Sequence, residues 1–484
     1  MDFNWASEYP EGVLSFLDTD LYKLTMQNAV FQHYPDVHVT YAFTNRTPEK
    51  KFSRKAFAWL CDQIYSKHSL FVPCVLLFVL TVIYSELGHI SLKDEELRFL
   101  KSHCTYLTAP YLNFLSEFRL SPREQLKPIF SPIGEDTGSD DVIGDIHIEI
   151  SGKWVDTILY EIPLLALTSE AYFKFMDTDW NYDGQEEKAF EKGLQILKAG
   201  CTLSEFGTRR RRDYHTQALV FRGLVNASKK AAEGSLPGKL TGTSNVHLAM
   251  RFNLAPIGTV AHEWFMGIAA ITDDYENANE EALRRWVACF GEGVLGIALT
   301  DTFGTPAFLK SFSRPVRHIP EVPDHTTGVS QSPRTYAGVF TGVRQDSGDP
   351  ANFVRIMRGF YDAQGIKDKK TIVFSDSLDI EKCIEYKRVS DEQGFQSSFG
   401  VGTYLTNDFT QLTTGKKSVP LNIVIKLSSA AGNPAVKISD NIGKNTGDSA
   451  KVAEVKKLLG YVEKEWEGGD ETKRWGTGDD ATKP

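Results

Sequence analysis

Three charged side chains in one short turn are the first candidates for chemistry. The segment GVRQDSGDP places Arg344, Asp346 and Asp349 around Ser347 and Gly348, two small residues that allow a ligand to approach the backbone closely. A guanidinium group is a planar fork for a carboxylate or a phosphate, and the acids can oppose a developing cation or hold magnesium through water. A charged surface turn is the alternative interpretation. We favour a functional turn, because it closes an apolar, strand-like stretch.

A glycine-bearing turn supplies a candidate phosphate site. In SFGVGTYLT, the backbone amides around Gly400, Gly402 and Thr403 could hold a phosphate group. The strand before it ends in FSDSLD, which adds Ser375 and Asp376 at a second strand end. A glycine loop alone is weak evidence, but its place near the last predicted strand, where barrels commonly hold phosphate, strengthens the prediction.

A histidine and an arginine run complete the set of candidates. His262, in GTVAHEWF, lacks the second histidine of H-E-x-x-H, which excludes a zinc protease of that type. A lone histidine is usually structural, and an acid–base or nucleophilic role is the alternative. The run EFGTRRRR offers Phe206 as a flat face for an aromatic ring, and Arg209 and Arg210 for a polyphosphate. A basic helix start or a nuclear-import signal is the simpler interpretation of the same arginines.

The elements that would position these groups alternate along the second part of the chain. From about Cys201, short apolar strands end in polar turns and are followed by helix-length segments: LSEFGTRR, KLTGTSN, IGTVAHEWF, VLGIALTDTFGT, VFTGVRQDSGDP, TIVFSDSLD, QSSFGVGTYLT and LNIVIKLS. About seven or eight such units in succession predict a (β/α) barrel. Catalytic groups of these barrels lie where strands end, so we expect one rim to hold Asp301, Arg344, Asp346, Ser375, Asp376, Gly402 and Thr403.

The first part of the chain mixes helix and strand and predicts a separate domain. VLSFLDTDLYKLTMQNAVFQ has helical spacing, whereas HVTYAFTNR and IHIEISG are typical of strands. The segment TILYEIPLLALTSEAYFKF predicts a long helix that bridges the two domains, with the boundary near residue 165. The charged, glycine-rich tail that begins EKEWEGG lacks apolar periodicity and is expected to be disordered.

Composition narrows the class of protein further. A formal charge of −9 argues against general binding of nucleic acid, which needs a basic surplus. Six scattered cysteines without a C-x-x-C pair predict reduced thiols, and the N-terminal residues resemble neither a secretory signal nor a mitochondrial presequence, so we expect a cytoplasmic or nuclear location. Neither G-x-x-x-x-G-K-[ST] nor a strand-following G-x-G-x-x-G occurs, so any use of a nucleotide is unconventional.

One apolar run, LFVPCVLLFVLTVIY at residues 70–84, does not fit this picture. It is shorter than the roughly 20 apolar residues of a spanning helix and contains Pro73, so we expect no membrane partner. A buried helix and a retained intron are the other interpretations. The polar loop at about residues 316–334 is a lid or a second insert.

Taken together, the motifs resemble those of the nicotinate phosphoribosyltransferase family, in a fungal form. The resemblance covers nearly the whole chain except about residues 66–85 and 316–334. The matching segments, in chain order, are LDTDLYKLTMQ, EFGTRRRR, TGTSNVHLA, GTVAHEWFMG, LTDTFGT, VRQDSGDP, GVGTYLTND and KISDNIGK.

The resemblance implies an α/β protein with the type II phosphoribosyltransferase fold. Residues 1–165 would form an α/β domain on which residues 430–484 pack, and residues 166–429 would form an irregular (β/α) barrel. The same resemblance implies a homodimer with shared active sites. It also implies nicotinate, phosphoribosyl pyrophosphate and ATP as substrates and Mg²⁺ as the cofactor.

The resemblance assigns roles to particular residues as well. Nicotinate would stack between Phe206 and Tyr22, with Tyr22 coming from a partner subunit, and would contact Arg344 and Thr259. His262 would carry a phosphoryl group taken from ATP. Asp301 and Asp346 would stabilise the ribosyl cation or hold Mg²⁺. The residues expected to bind phosphoribosyl pyrophosphate are Arg209, Arg210, Ser375, Asp376, Gly400, Gly402 and Thr403.

Three other interpretations stay open from the sequence. A nicotinamide phosphoribosyltransferase would hold a neutral amide where this pocket would hold a carboxylate. A (β/α) barrel lyase or isomerase for a sugar phosphate would use the same rim without phosphorylating a histidine. An inactive relative would retain the motifs but fold incorrectly around the apolar run.

Overall fold

The structure is a computed structural model, and it describes residues 11–65, 87–317, 334–441 and 444–461. The apolar run at residues 70–84, most of the loop at 316–334 and the charged tail after residue 461 lie outside these ranges. At the described ends of that loop, the backbone N–H of Val316 donates to the carbonyl of Arg334 at 2.8 Å, so the loop leaves and rejoins the fold at one place. Within the described ranges, no helix has both the length and the apolar character needed to cross a bilayer.

The strands of the described ranges form two main sheets and one small ladder. In chain order they are β1 (His38–Asn45), β2 (Phe52–Ser53), β3 (Leu126–Pro132), β4 (Ile143–Lys153), β5 (Thr202–Glu205), β6 (Lys239–Thr243), β7 (Ile297–Leu299), β8 (Gly342–Gln345), β9 (Thr371–Phe374), β10 (Gln396–Val401), β11 (Phe409–Thr410), β12 (Lys417–Ser418), β13 (Ile423–Ala430) and β14 (Asn433–Pro434).

Helices surround both sheets. They are α1 (Leu21–His33), α2 (Arg54–Tyr65), α3 (Asp94–His103), α4 (Ala109–Glu117), α5 (Pro122–Gln125), α6 (Trp154–Thr157), α7 (Glu161–Phe175), α8 (Gln185–Lys198), α9 (Tyr214–Glu233), α10 (Val246–Arg251), α11 (His262–Thr272), α12 (Ala278–Phe290), α13 (Thr305–Phe312), α14 (Tyr336–Val339), α15 (Pro350–Ala363), α16 (Ile380–Glu392), α17 (Thr403–Thr406) and α18 (Ser449–Leu458). Two 3₁₀ turns, Ile158–Tyr160 and Thr208–Arg210, precede α7 and α9.

The first sheet is antiparallel and uses both ends of the chain. Its order is β14-β13-β1-β4-β2, with β3 paired to β4. In β1, Val39, Tyr41 and Phe43 are buried and alternate with less buried residues, which is the pattern of a strand with one face on the core. The strands predicted from HVTYAFTNR and IHIEISG are therefore confirmed.

The second sheet is parallel, with the order β6-β5-β10-β9-β8-β7 in the described residues. Parallel strands with helical crossovers confirm the α/β class and fit an irregular barrel, but six parallel strands pair in the described residues and not the expected seven or eight. The segment before α11, predicted as a strand, forms no ladder. It bridges the gap between β6 and β7 by single hydrogen bonds, from Ile257 N–H to Thr243 O at 2.9 Å and from Thr259 Oγ1 to Ile297 O at 3.2 Å.

The segment LNIVIKLS was counted among the barrel strands, and this was wrong. It forms β13, which pairs antiparallel with β1 in the first sheet, for example at Phe43 opposite Ile425. The chain therefore rejoins the first sheet at Ile423, before the expected boundary at residue 430. A short apolar run fits a strand of either sheet, and only its partners decide which one it joins.

Two buried helices connect the sheets. The long helix predicted across the domain boundary is α7, and thirteen of its fifteen residues are buried, which explains why it is apolar on all sides. Helix α11 is also largely buried, and both helices pack against β13. His262 is the first residue of α11, so a rigid, buried element fixes its position.

Candidate active site

A cleft of about 330 Å³ opens at the carboxyl ends of the parallel strands. Four strand ends, those of β5, β8, β9 and β10, contribute to its wall, together with the N-terminus of α11 and residues of β13. The sequence-predicted residues that line it are Phe206, Arg209, Arg210, His262, Arg344, Asp346, Ser375, Asp376, Gly400, Gly402 and Thr403.

His262 lies at the centre of a hydrogen-bonded cluster. Its Nδ1 atom is 3.0 Å from Thr302 Oγ1, and its Nε2 atom is 3.0 Å from Asp346 Oδ2 and 2.8 Å from Lys437 Nζ. Burial, reinforced by the ammonium of Lys437, lowers the pKa of His262 to about 4. The imidazole is therefore neutral near pH 7 and has one nitrogen lone pair available.

Two carboxylates flank this imidazole. Asp301 follows β7, accepts a hydrogen bond from Ser347 Oγ at 2.5 Å and lies 3.7 Å from His262 Nε2. Burial alone would raise the pKa of Asp346, but Arg344 foremost, with His262, holds that pKa well below its ordinary value. Both acids are therefore placed to act as anions.

These side chains fit a hard divalent cation. One ligand atom from each of His262, Asp301 and Asp346 lies within 4.8 Å of the others, and Asp301 Oδ1 is buried without a hydrogen-bond partner in the described residues. Carboxylate oxygens are the ligands that Mg²⁺ prefers. Lys437 Nζ lies 3.2 Å from Asp301 Oδ2, so a metal ion here would share the carboxylate with an ammonium group.

Arg344 is fixed in place by its neighbours at the end of β8. Its Nε donates to Ser375 Oγ at 2.7 Å and its Nη2 donates to Asp346 Oδ1 at 2.9 Å. Ser375 Oγ in turn donates to the same Asp346 oxygen at 2.8 Å. The turn that the sequence singled out is thus a rigid polar triangle that faces the cleft.

The glycines of the predicted phosphate turn also make room for an aromatic ring. A Cβ atom on Gly400 would lie 2.3 Å from two ring carbons of Phe206, and one on Gly402 would lie 3.0 Å from the carbonyl oxygen of Phe206. Phe206 therefore lies flat against the backbone of β10. The sequence argument gave these glycines to phosphate binding alone and missed this packing role.

The arginine run divides between two functions. Arg209 and Arg210 line the cleft, whereas Arg211 and Arg212 are buried. Arg211 binds the carboxylate of Asp18 through two hydrogen bonds of 2.7 and 2.8 Å, and Arg212 lies over the ring of Phe173. A basic helix start or an exposed import signal therefore does not describe all four arginines.

A smaller recess of about 50 Å³ adjoins the cleft and shares Arg209, His262, Arg344, Asp346 and Lys426 with it. Its further lining residues are Tyr22, Glu161, Ala261, Glu263, Met266, Ile425 and Leu427. Aromatic and aliphatic walls with charged groups at the margin suit a small, flat, charged ring.

Two predicted nicotinate contacts lie in different places. Tyr22, in α1, lines the recess of its own chain, and a contribution of Tyr22 from a partner subunit stays a prediction. Thr259 lines neither cavity, and its hydroxyl donates to the carbonyl of Ile297 at 3.2 Å, which spans the gap in the parallel sheet.

Sequence reasoning missed several cations of the cleft. They are Arg46, Lys382, Lys417, Lys426, Lys437 and Lys444. Lys444 Nζ donates to Asp376 Oδ2 at 2.7 Å and so tethers a strand end of the second sheet. Lys437 and Lys444 are the first and last residues of the motif KISDNIGK. This motif follows a strand of the first sheet, so the sequence did not indicate that it lies at the cleft.

A parallel sheet with a cationic cleft at its carboxyl edge, a glycine turn and a neutral buried histidine defines an enzyme for a phosphorylated, polyanionic substrate. Two family models specify it further. The nicotinate phosphoribosyltransferase (NAPRTase) family matches residues 201–463, and the NAPRTase N-terminal domain matches residues 17–71 and 79–169. This chain belongs to the nicotinate phosphoribosyltransferase family. The interruption of the match at residues 72–78 falls inside the apolar run.

Individual relatives agree over almost their whole length. The chain is 42% identical to the nicotinate phosphoribosyltransferase of Saccharomyces cerevisiae, covering 96% of this chain and 99% of that protein. It is 36% identical to that of Methanosarcina mazei, with 91% and 97% covered. The solved nicotinate phosphoribosyltransferase of Vibrio cholerae superimposes with a TM-score of 0.75 at 30% identity, covering 94% of this chain and 96% of that one.

Proposed function

We propose that this protein transfers the phosphoribosyl group of 5-phosphoribosyl 1-pyrophosphate to nicotinate, forming nicotinate mononucleotide and pyrophosphate for NAD biosynthesis. The proposal rests on one observation: a cationic cleft adjoins a small recess lined by Tyr22, and His262 and Arg344 line both cavities. The cleft suits a sugar carrying several phosphate groups. The recess suits a pyridine ring with one charge.

The residues divide the work of the transfer. Arg209, Arg210 and the amides at Gly402 and Thr403 bind the phosphate groups. Mg²⁺ held by Asp301 and Asp346 would neutralise the leaving pyrophosphate. As the bond between C1 of the ribose and the pyrophosphate oxygen breaks, the Asp346 carboxylate opposes the positive charge that develops on the ring. The pyridine nitrogen then forms the new bond to C1.

ATP coupling through His262 is the second part of the proposal. With Nδ1–H donating to Thr302, the Nε2 lone pair, once released from its hydrogen bond with Lys437, attacks the terminal phosphorus of ATP, so that a P–N bond forms and ADP leaves. Water later cleaves that bond and releases phosphate. Hydrolysis of the phosphohistidine would drive a transfer that is otherwise reversible.

Assembly and location stay predictions. A homodimer with shared active sites remains our expectation, and Tyr22 of this chain lines the recess of its own chain. A cytoplasmic location also remains the expectation. The burial of Arg211 and Arg212 argues against nuclear import through the arginine run.

The decisive experiment incubates the purified protein with labelled phosphoribosyl pyrophosphate and nicotinate, with and without ATP. We expect nicotinate mononucleotide, and faster turnover when ATP is present. Equal turnover of nicotinate and nicotinamide would refute the assignment of nicotinate as the substrate. With γ-labelled ATP we expect acid-labile phosphate on the protein. A lyase would take up none, and an inactive relative would form neither product.

A further inference from the structure

Lys426 occupies the junction between the cleft and the recess. It lies in the middle of β13, paired with Ala42 of β1, and it lines both cavities. Its neighbours Ile425 and Leu427 form part of the recess wall. The first sheet therefore contributes one cation that lines both cavities.

The ammonium group of Lys426 differs from the other cations around the recess. Lys23 Nζ is 2.6 Å from Glu161 Oε2 and also binds Glu263. Arg344 is committed to Asp346 and Ser375, as described above. The side chain of Lys426 makes no hydrogen bond or close ion pair within the described ranges, and the Glu161 carboxylate acts on it at longer range.

The charged side chains that line the recess are equal in number: Arg209, Arg344 and Lys426 against Glu161, Glu263 and Asp346. Each of these carboxylates already has a cation within 4 Å, since Lys23, which is not part of the lining, binds Glu161 and Glu263, and Arg344 binds Asp346. Lys426 is therefore the lining cation that is left to pair with a ligand carboxylate.

We propose that Lys426 binds the carboxylate of the pyridine substrate and sets the preference for nicotinate over its neutral amide. The inference rests on the proposed function and deepens it. The resemblance gave a nicotinate contact to Arg344, but Arg344 would have to exchange its bond to Asp346 to bind the ligand carboxylate. Lys426 has no such bond to exchange.

The interaction between the Lys426 ammonium group and a ligand carboxylate supports this assignment. Burial lowers the pKa of Lys426 to about 8, so the group is still largely charged at pH 7 but is poorly solvated. A carboxylate replaces the missing solvation, whereas a carboxamide replaces only part of it. A charge-assisted hydrogen bond of this kind is stronger than a neutral one, which is the basis of the discrimination.

The test compares Lys426→Met, Lys426→Gln and Lys426→Arg with wild type. For Lys426→Met we expect the KM for nicotinate to rise on the order of 10- to 100-fold, while the inhibition constant for nicotinamide and the KM for phosphoribosyl pyrophosphate stay within about twofold. Lys426→Gln should lose the same preference, and Lys426→Arg should keep part of it. Lys127→Met, at a side chain that is 70% exposed, is the control and should change nothing.

The outcomes separate the two proposals. If wild type forms no nucleotide from nicotinate, the proposed function fails. If wild type is active and the Met and Gln variants keep both the KM for nicotinate and the preference over nicotinamide, the role of Lys426 is refuted. A rise in the KM for phosphoribosyl pyrophosphate alone would assign Lys426 to phosphate and equally overturn the inference. Should the Met variant not fold, the Gln and Arg variants decide.

Discussion

Phe206 lines the cleft and not the recess, and replacing Gly400 with alanine tests whether its ring nevertheless stacks on the bound pyridine. The new Cβ would lie 2.3 Å from ring carbons Cδ2 and Cε2, whereas ordinary contacts begin at 3.4 Å, so something must move by more than 1 Å. Strand β10 is held on both sides by β5 and β9. The ring of Phe206 must therefore move away from the position in which it lines the cleft.

The cost follows from the contact that is lost. Aromatic stacking contributes about 0.5–1.5 kcal/mol beyond buried area, which corresponds to a roughly two- to twelvefold rise in the KM for nicotinate. Phe206→Ala should cause a rise of similar size because it removes the same ring. In the double variant the new methyl group meets no ring, so Gly400→Ala should add almost nothing to the effect of Phe206→Ala.

Steady-state kinetics of wild type, Gly400→Ala, Phe206→Ala and the double variant measure the coupling energy between the two positions directly. Gly359→Ala, where a Cβ meets no atom within 4 Å, is the matched control and should be neutral. The reasoning is refuted if Gly400→Ala raises the KM for nicotinate by the same factor in wild type and in the Phe206→Ala background. A rise confined to the KM for phosphoribosyl pyrophosphate would show that the glycine serves the phosphate instead.

Three further predictions concern catalysis and stability. His262→Ala should abolish acid-labile phosphate and ATP turnover, while slower, ATP-independent ribosyl transfer continues. ADP and the nucleotide product are assayed separately, and the loss of both products would contradict this prediction. Burial, with Asp213, raises the pKa of Glu170 from 4.5 to about 8, so its ionisation penalty is absent below pH 4.5 and complete above pH 8. At pH 8.5 the free energy of unfolding of Glu170→Gln should therefore exceed that of wild type by a few kcal/mol, whereas at pH 5 the two proteins should be about equally stable. The same difference at both pH values would contradict this prediction. Arg211→Met leaves Asp18 buried without its partner and should cost about 3–5 kcal/mol in urea unfolding, and a loss below about 1 kcal/mol would show that the pair is dispensable.

The convergence of the site could be predicted because its barrel residues obey one rule. Arg344 lies near the end of β8, Asp346 follows β8, and Ser375 and Asp376 follow β9. The carboxyl ends of parallel strands meet at one edge. The same rule brought Asp301 within 3.7 Å of His262. Local sequence was sufficient wherever a side chain belonged to a βα unit.

Strand ends alone did not predict the site residues that come from outside the parallel sheet. Lys426 lies in a run that fits a strand of either sheet, and its place depends on pairing with β1 far away in sequence. Tyr22 reaches the recess because α1 packs beside it, a tertiary contact that helical spacing does not reveal. Thr259 follows a glycine like a strand end, but its segment closes a gap in the sheet instead of facing the ligand.

The hydrogen bond between Thr40 and Ser429 joins residues 389 apart in the chain. During synthesis, β1 leaves the ribosome long before β13 exists, so one edge of the first sheet must wait unpaired while the βα units emerge. Folding dominated by such distant contacts is slow. The enzyme would gain its last site residues, Lys437 and Lys444, only as translation nears its end, and a nascent chain lacking this region would hold no finished catalytic pocket.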